Sequence, residues 1–335
     1  NGKGDISGDL NVVGVTTLGK AIIGTGVTID QSNIDTVGII TASTFSGALT
    51  GNVTGTIQTA AQANITSVGT LTGLTVSADA TINGHKVGKG GNSVGSNVAV
   101  GDDALEANTT GGNNTAVGND ALRSNTTGSE NTAIGENTLD ANTTASNNTA
   151  IGSQALNANT TGASNTAVGH NSLLTNSTGT LNAAFGQSTL KLNTTGSYNT
   201  SLGAHSMMKN TTGIENVVVG TSAMEDNTTG DGNTAVGRSA LANNTTADSN
   251  TAVGRQALQA NTTGTNNVAL GAYSLDANTT ASHNTAIGTN ALTLNTTGAS
   301  NVSVGRGSLG SNTTASQNTA VGDMALNANA TGAEN

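Results

Sequence analysis

Apolar and polar residues follow a fixed pattern of 17 residues along most of this chain. Glycine recurs at that spacing fourteen times without an insertion or deletion, and the unit reads N-T-A-V-G-x-x-A-L-x-x-N-T-T-G-x-x, where x is variable. We number the unit's positions 1 to 17 from Asn114, and we call the residues that share a position a row. Row 5 includes the glycines Gly101, Gly118 and Gly135. A fixed period of this kind indicates a stacked repeat protein.

Two rows carry most of the large apolar side chains. Position 4 always holds a residue such as Val, Ile, Leu or Phe, and position 9 holds Leu or Met, as in Leu105, Leu122 and Leu139. We predict that rows 4 and 9 form the core. The variable positions carry nearly all of the charge, so we expect them to face solvent.

The unit favours strands and turns over helix. Asn-Thr-Thr-Gly is poor helix chemistry, and the aliphatic spacing does not follow a period of 3.6. Short segments rich in β-branched residues and bounded by Gly or Asn are typical of strands. The predicted fold class is therefore all-β, a parallel β-solenoid (a β-roll or β-helix) of 17-residue coils over residues 91–335. Equivalent residues would then stack about 4.8 Å apart.

The two glycine rows differ in how strictly they hold glycine. Row 5 admits no substitute, which predicts a positive φ or a backbone contact too close for a Cβ atom. Row 15 accepts alanine at four places, so we expect that row to need a small residue more than a left-handed backbone: Ala145, Ala247, Ala281 and Ala315.

Two rows of asparagine do not vary. Asn108 and Asn125 belong to row 12, and Asn114 and Asn131 belong to row 1. Asparagine suits turns, and stacked amides can bond to those of neighbouring coils, so we predict in-register amide ladders. Row 12 also forms N-x-T or N-x-S sequons, which leaves glycosylation as the alternative.

Residues 1–90 lack the 17-residue period. Short apolar runs alternate there with turns rich in Gly and Thr, which predicts an irregular β-rich fibre shaft, joined to the solenoid near the glycine-dense stretch 88–95. The first residue is Asn1 and not Met, so we expect the chain to be part of a longer polypeptide.

Composition excludes several classes of protein. Only 9% of the residues are charged and 1% aromatic, with no Pro, Trp or Cys, so a conventional globular core is not expected. The net charge of −10 comes from scattered acids, and no basic patch predicts nucleic-acid binding. No apolar run approaches the ~20 residues that a membrane-spanning helix needs. We expect no nucleic-acid partner and no membrane insertion.

The residue pattern predicts neither catalysis nor a metal site. The four histidines, His85, His170, His205 and His283, occupy unrelated positions and are expected to be solvated surface residues. The acids are dispersed, whereas a polysaccharide hydrolase needs two carboxylates in one cleft. We therefore expect no enzyme activity, no catalytic or cofactor-binding residue and no cofactor.

The unit resembles repeats of bacteriophage tail-fibre and receptor-binding proteins, notably those that end in a self-cleaving endosialidase-type chaperone domain, which is absent here. The motif Asn114–Gly118 is also similar to the head repeats of trimeric autotransporter adhesins. Residues 38–47 and 64–71 look like fibre proteins of marine and cyanobacterial phages. The resemblance implies an extracellular homotrimeric fibre on a virion tail. Its expected partners are other fibre or baseplate proteins and a host-surface receptor or glycan.

The residues themselves also favour a trimer and leave two alternatives open. Each coil has few core side chains, and the small row 3, mostly Ala, could let neighbouring chains meet closely around an axis. A bacterial surface trimeric adhesin is the first alternative. An ice-binding β-solenoid is the second, because the Thr rows that include Thr115 and Thr110 are long and regular.

Overall fold

A computed structural model of the chain describes residue 76 and residues 79–335. Most of the predicted shaft, including the segments 38–47 and 64–71, lies outside the described residues. Of the stretch 1–90, the structure describes only residue 76 and residues 79–90.

The described strands form one sheet of sixteen strands in sequence order. β1 (Ala80–Ile82) and β2 (His85–Gly88) are an antiparallel hairpin, and β2 also pairs antiparallel with β3 (Val98–Val100). A 3-10 turn, Gly91–Ser93, lies between β2 and β3. The other strands have three residues each: β4 Thr115–Val117, β5 Thr132–Ile134, β6 Thr149–Ile151, β7 Thr166–Val168, β8 Ala183–Phe185, β9 Thr200–Leu202, β10 Val217–Val219, β11 Thr234–Val236, β12 Thr251–Val253, β13 Val268–Leu270, β14 Thr285–Ile287, β15 Val302–Val304 and β16 Thr319–Val321.

From β3 onward every strand pairs in parallel with the next, with residues 17 apart opposite one another. Thr115 lies opposite Thr132, and the same step relates the two strands of every later pair through β15 and β16. The chain is therefore an all-β parallel β-solenoid of 17-residue coils, as predicted, and no α-helix occurs within residues 79–335.

The turns between strands use left-handed backbone at fixed places. Row 5 glycines end each strand with φ near +130°, as at Gly118 (φ 138°). Row 9 also has positive φ in every coil, although it holds Leu or Met, and Leu122 has φ 53°. Positive φ is uncommon for residues other than glycine, so the coil imposes this conformation repeatedly.

The core of the solenoid consists of rows 3, 8 and 9. Ala116, Ala121 and Leu122 have no exposed surface, and their equivalents are buried in nearly every coil. Row 12 and row 1 asparagines complete the interior.

The prediction that row 4 belongs to the core is wrong. Side chains alternate between the two faces of a strand, and the strand turns row 1 and row 3 inward, so rows 2 and 4 face outward. Ile134 is 39% exposed and Leu202 48% exposed. The expectation that row 3 alanines line a contact between chains is wrong for the same reason, since Ala116 and Ala133 are enclosed within one chain.

Candidate functional surfaces

The row 5 glycines lie where a side chain has no room. A Cβ atom on Gly118 would lie 2.3 Å from the carbonyl oxygen of Gly135 in the next coil, and the φ of 138° is itself unfavourable for other residues. Gly101 and Gly135 have φ of 131° and 134° and similar contacts with the following coil. Both reasons predicted for the invariance of row 5 therefore apply together.

Row 15 has a different geometry. The φ of its glycines lies outside the left-handed region, although a Cβ atom on Gly128 would lie 2.3 Å from the carbonyl oxygen of Ala145. Ala145 occupies this row with almost no exposed surface. No alanine of row 15 stacks directly on another, because glycine stands in the coil before and after each one. Row 15 therefore accepts a methyl group where the next coil can shift.

Row 12 forms an amide ladder through the interior. Nδ2 of Asn125 donates to Oδ1 of Asn108 at 3.0 Å and to the carbonyl oxygen of Gly128 at 3.0 Å. Nδ2 of Asn142 donates in turn to Oδ1 of Asn125 at 2.8 Å. Each amide thus holds its own turn and the neighbouring coil, and buried polar groups of this kind need such partners.

Row 1 forms a second ladder that uses the backbone. The backbone N–H of Asn131 donates to Oδ1 of Asn114 at 3.0 Å, while Nδ2 of Asn131 donates to the carbonyl oxygen of Ala145 at 2.9 Å. Row 1 asparagines through Asn318 and row 12 asparagines through Asn312 are buried. A glycan needs an exposed amide nitrogen, so the buried row 12 sequons, such as that of Asn125, cannot accept one in the folded solenoid.

The outer face of the sheet is uncharged and partly exposed, and it combines a row of mostly threonine with a row of aliphatic or aromatic side chains. We define it as the side chains of rows 2 and 4 on β3–β16. Row 2 is Thr, Val or Ala, and row 4 is Val, Ile, Leu or Phe, so the face contains no charged residue. Its exposed members include Phe185 (40%), Val217 (44%) and Leu270 (42%). This face was missed because hydrophobicity alone assigned row 4 to the core.

The threonines of rows 13 and 14 behave differently from each other. Oγ1 of Thr126, in row 13, donates to the carbonyl oxygen of Thr143 in the next coil at 3.0 Å. Thr127, in row 14, is exposed, as are the row 14 threonines of the other coils. Row 13 therefore helps to hold the stack, whereas row 14 is presented to solvent.

Charged groups lie on the surface and pair mostly across neighbouring coils. Arg123 lies between Asp120 (Nη1 to Oδ1, 3.2 Å) and Asp140 (Nε to Oδ1, 3.1 Å). Partial burial raises the pKa of Asp140, and the positive charge of Arg123 partly opposes that rise. Partial burial also raises the pKa of Asp276, opposed by the hydroxyl of Thr293, which donates at 2.6 Å. The more exposed salt bridges of Lys86, Lys209 and Arg306, each with an aspartate 17 residues later, contribute little to stability.

The histidines do not converge. His85, His170 and His283 are exposed, and half-buried His205 has its Nδ1 3.4 Å from Sδ of Met208. Within residues 79–335 no group of three His, Asp or Glu side chains is arranged to hold a metal ion. In that same stretch, no helix has the length and apolar character to cross a membrane.

A buried group of hydroxyls lies in the core and was not predicted from the sequence. Oγ1 of Thr189 donates to Oγ of Ser201 at 2.9 Å, and both bond to Ser206. Ser303 and Ser308 pair in the same way in a later coil. The sequence does indicate this group, because in both cases rows 3 and 8 of the same coil hold serine where most coils have alanine. These hydroxyls satisfy one another and lie away from solvent.

No protein-family model, no curated protein and no solved structure matches this chain.

Proposed function

We propose that the chain is a structural fibre protein, a shaft or adhesin of the kind found in phage tail fibres. It would act outside the cell as a homotrimer, hold other fibre or baseplate proteins at a distance and contact a receptor or glycan on a host surface. It would have no catalytic step and no cofactor.

The observation that carries this proposal is the unbroken register of β3–β16. Fourteen strands at about 4.8 Å spacing give a stack about 60 Å long. Each coil contacts only its neighbours, so stiffness and length come from adding equal units. The row 1 ladder joins every coil to the next through the interior of this stack, and the row 12 ladder joins the coils from Asn108 to Asn312. A part built this way suits a spacer that bears load.

The homotrimer has support from the outer face and not from row 3. A long uncharged face with a continuous apolar row 4, on a chain with few core side chains per coil, favours association, because burial of row 4 would add hydrophobic stabilisation. The composition of the face, without charge over fourteen strands, suits a permanent contact better than a transient one.

Two measurements on the purified protein test the proposal. Light scattering and electron microscopy should show a trimeric rod, and the labelled protein should bind bacterial cells without lowering the viscosity of capsule or lipopolysaccharide. Depolymerisation would contradict the passive role. A compact particle would contradict the role as a shaft. Failure to bind any cell in a broad panel of bacteria would contradict the role as an adhesin. Binding to other cells of the bacterium that produces the protein, and not to bacteria that phages infect, would favour the bacterial surface adhesin.

A second candidate function is ice binding, and row 14 is the observation that favours it. Its threonines are exposed in every coil and are spaced about 4.8 Å apart. None of their hydroxyls has a hydrogen-bond partner within residues 79–335. Thermal hysteresis that falls when Thr195, Thr212 and Thr229 are changed to Glu would support this function. Hysteresis equal to that of buffer would remove it.

A further inference from the structure

The outer face has the dimensions and surroundings of a protein interface. It is about 60 Å long and, at three residues per strand, about 10 Å wide, which gives roughly 600 Å² on each chain. This area is somewhat below the about 800 Å² per partner that a standard interface buries, and exposed patches of this size that include a continuous aliphatic row mark contact sites. Rows 6 and 17, which border the face, are mostly polar. An apolar centre with a polar rim is the usual anatomy of such a contact.

One level of the face differs from all of the others. β8 carries the only alanine of row 2, Ala183, and the only phenylalanine of row 4, Phe185. Elsewhere row 2 is Thr or Val, and row 4 is Val, Ile or Leu. Both side chains of this level lie on the outer face, and Phe185 is 40% exposed. The smallest and the largest residues of the face thus occur side by side at one level.

A repetitive face lets two copies dock in several registers, and the level of β8 can select one of them. Two stacks of equal coils could slide by one coil, about 4.8 Å, and bury nearly the same apolar area in each position. A single large side chain that fits only over a single small one removes that ambiguity, as a special position does in coiled coils. Phe185 of one copy can lie over Ala183 of another only when the copies are parallel and at the same level.

We infer that a second copy of this chain docks on the outer face, parallel and in register, with row 4 of one copy against row 2 of the next. Phe185 packs over Ala183 of the neighbouring copy and fixes the level. In a ring of three copies this contact between two different rows repeats head-to-tail around the axis, whereas a two-fold pair would make it twice. This inference rests on the proposed homotrimeric fibre and names its contact.

The chain contains no cysteine, so pairs of introduced cysteines test the contact directly. We would co-express Thr166→Cys and Val168→Cys chains with different tags and treat the purified protein with a short bismaleimide. A cross-linked product carrying both tags is expected, because row 2 and row 4 of β7 meet between copies. Thr166→Cys paired with Val253→Cys, five coils and about 24 Å away, is the control and should give none. Thr161→Cys, in row 14, paired with Val168→Cys should also give no cross-linked product.

The register claim has its own test. Thr166→Cys paired with Val117→Cys, three coils and about 14 Å out of register, should not cross-link in the native background. Adding Ala183→Thr and Phe185→Val to both chains makes β8 resemble the other levels, and the out-of-register product should then appear. Circular dichroism would confirm that the coils remain folded.

The outcomes separate this inference from the proposed function. A monomeric mass, cross-links between distant levels only, or equal out-of-register cross-linking in both backgrounds would overturn the docking inference, even if the protein binds bacterial cells. In-register cross-links in a protein that binds no cell would support the docking and contradict only the adhesin.

Discussion

Nδ2 of Asn125 donates to Oδ1 of Asn108, 17 residues earlier and one coil away, at 3.0 Å. The same bond joins Asn142 to Asn125 and continues along the solenoid. The side chain therefore satisfies one buried turn and one neighbouring coil at once. This explains why row 12 holds asparagine in every unit, since no shorter side chain could make both contacts.

We expect Asn193→Ser to destabilise the solenoid. Asn193 donates to Asn176 at 2.7 Å and accepts from Asn210 at 2.8 Å, so serine would leave buried groups on both sides without partners. A loss of about 1–3 kcal/mol is expected, measured by chemical denaturation. Asn147→Ser is the matched control, because Asn147 is exposed in row 17, where serine occurs naturally at Ser164. Equal losses in the two variants would contradict the ladder.

A second prediction concerns the left-handed backbone of row 9. Leu156 has φ 50°, and Met207 and Met224 occupy the same row with φ 47° and 50°. Isoleucine has the volume of leucine but branches at Cβ, which strains a positive φ. We expect Leu156→Ile to lower the thermal midpoint far more than Leu156→Met, with strain of about 1–3 kcal/mol. A Met variant less stable than the Ile variant would show that volume and not backbone conformation selects this row.

The two glycine rows give a third prediction. Gly186 has φ 137°, and its Cβ atom would lie 2.7 Å from backbone atoms of Gly203, whereas Gly179 in row 15 has no such φ. We expect Gly186→Ala to destabilise strongly and Gly179→Ala to be milder, because alanine occurs naturally in row 15 between glycine coils. Thermal unfolding of the two variants is the measurement. A Gly179→Ala protein at least as damaged as Gly186→Ala would contradict the distinction between the rows.

Much of the fold follows from the sequence, because rows 5, 9 and 12 each have one steric or hydrogen-bonding demand that recurs in every coil. Which alternate residues of each strand face the interior did not follow from the sequence. In N-T-A-V either Ala or Val could face inward, and hydrophobicity favours Val. The interior, already occupied by Leu122 and Asn125, favours a small inward side chain such as the methyl group of Ala116, and among the described coils a branched aliphatic side chain is buried in row 3 only at Val218. That limit depends on the width of the closed coil, which no local pattern specifies. The outer face was missed for the same reason.

The central claim is that coils of 17 residues stack in strict register. Removing one whole unit should therefore let the rows close up with the loss of one equal increment of stability. The unit 148–164 is suitable, because its inward residues at rows 3 and 8, Ala150 and Ala155, are those of most coils, and its loss leaves Ala145 of row 15 next to glycine. The unit 199–215 is not, because its loss would leave the buried Thr189 hydroxyl without Ser201 and Ser206.

The most direct measurement compares the thermal midpoints of two deletions, 148–164 and 148–165. The first removes 17 residues and restores every row. The second removes one more, which places Thr166 where a buried row 1 asparagine belongs and leaves a coil too short to keep both ladders. We predict a midpoint close to the native one for the 17-residue deletion and a much lower midpoint for the 18-residue deletion. Equal midpoints would contradict the in-register solenoid.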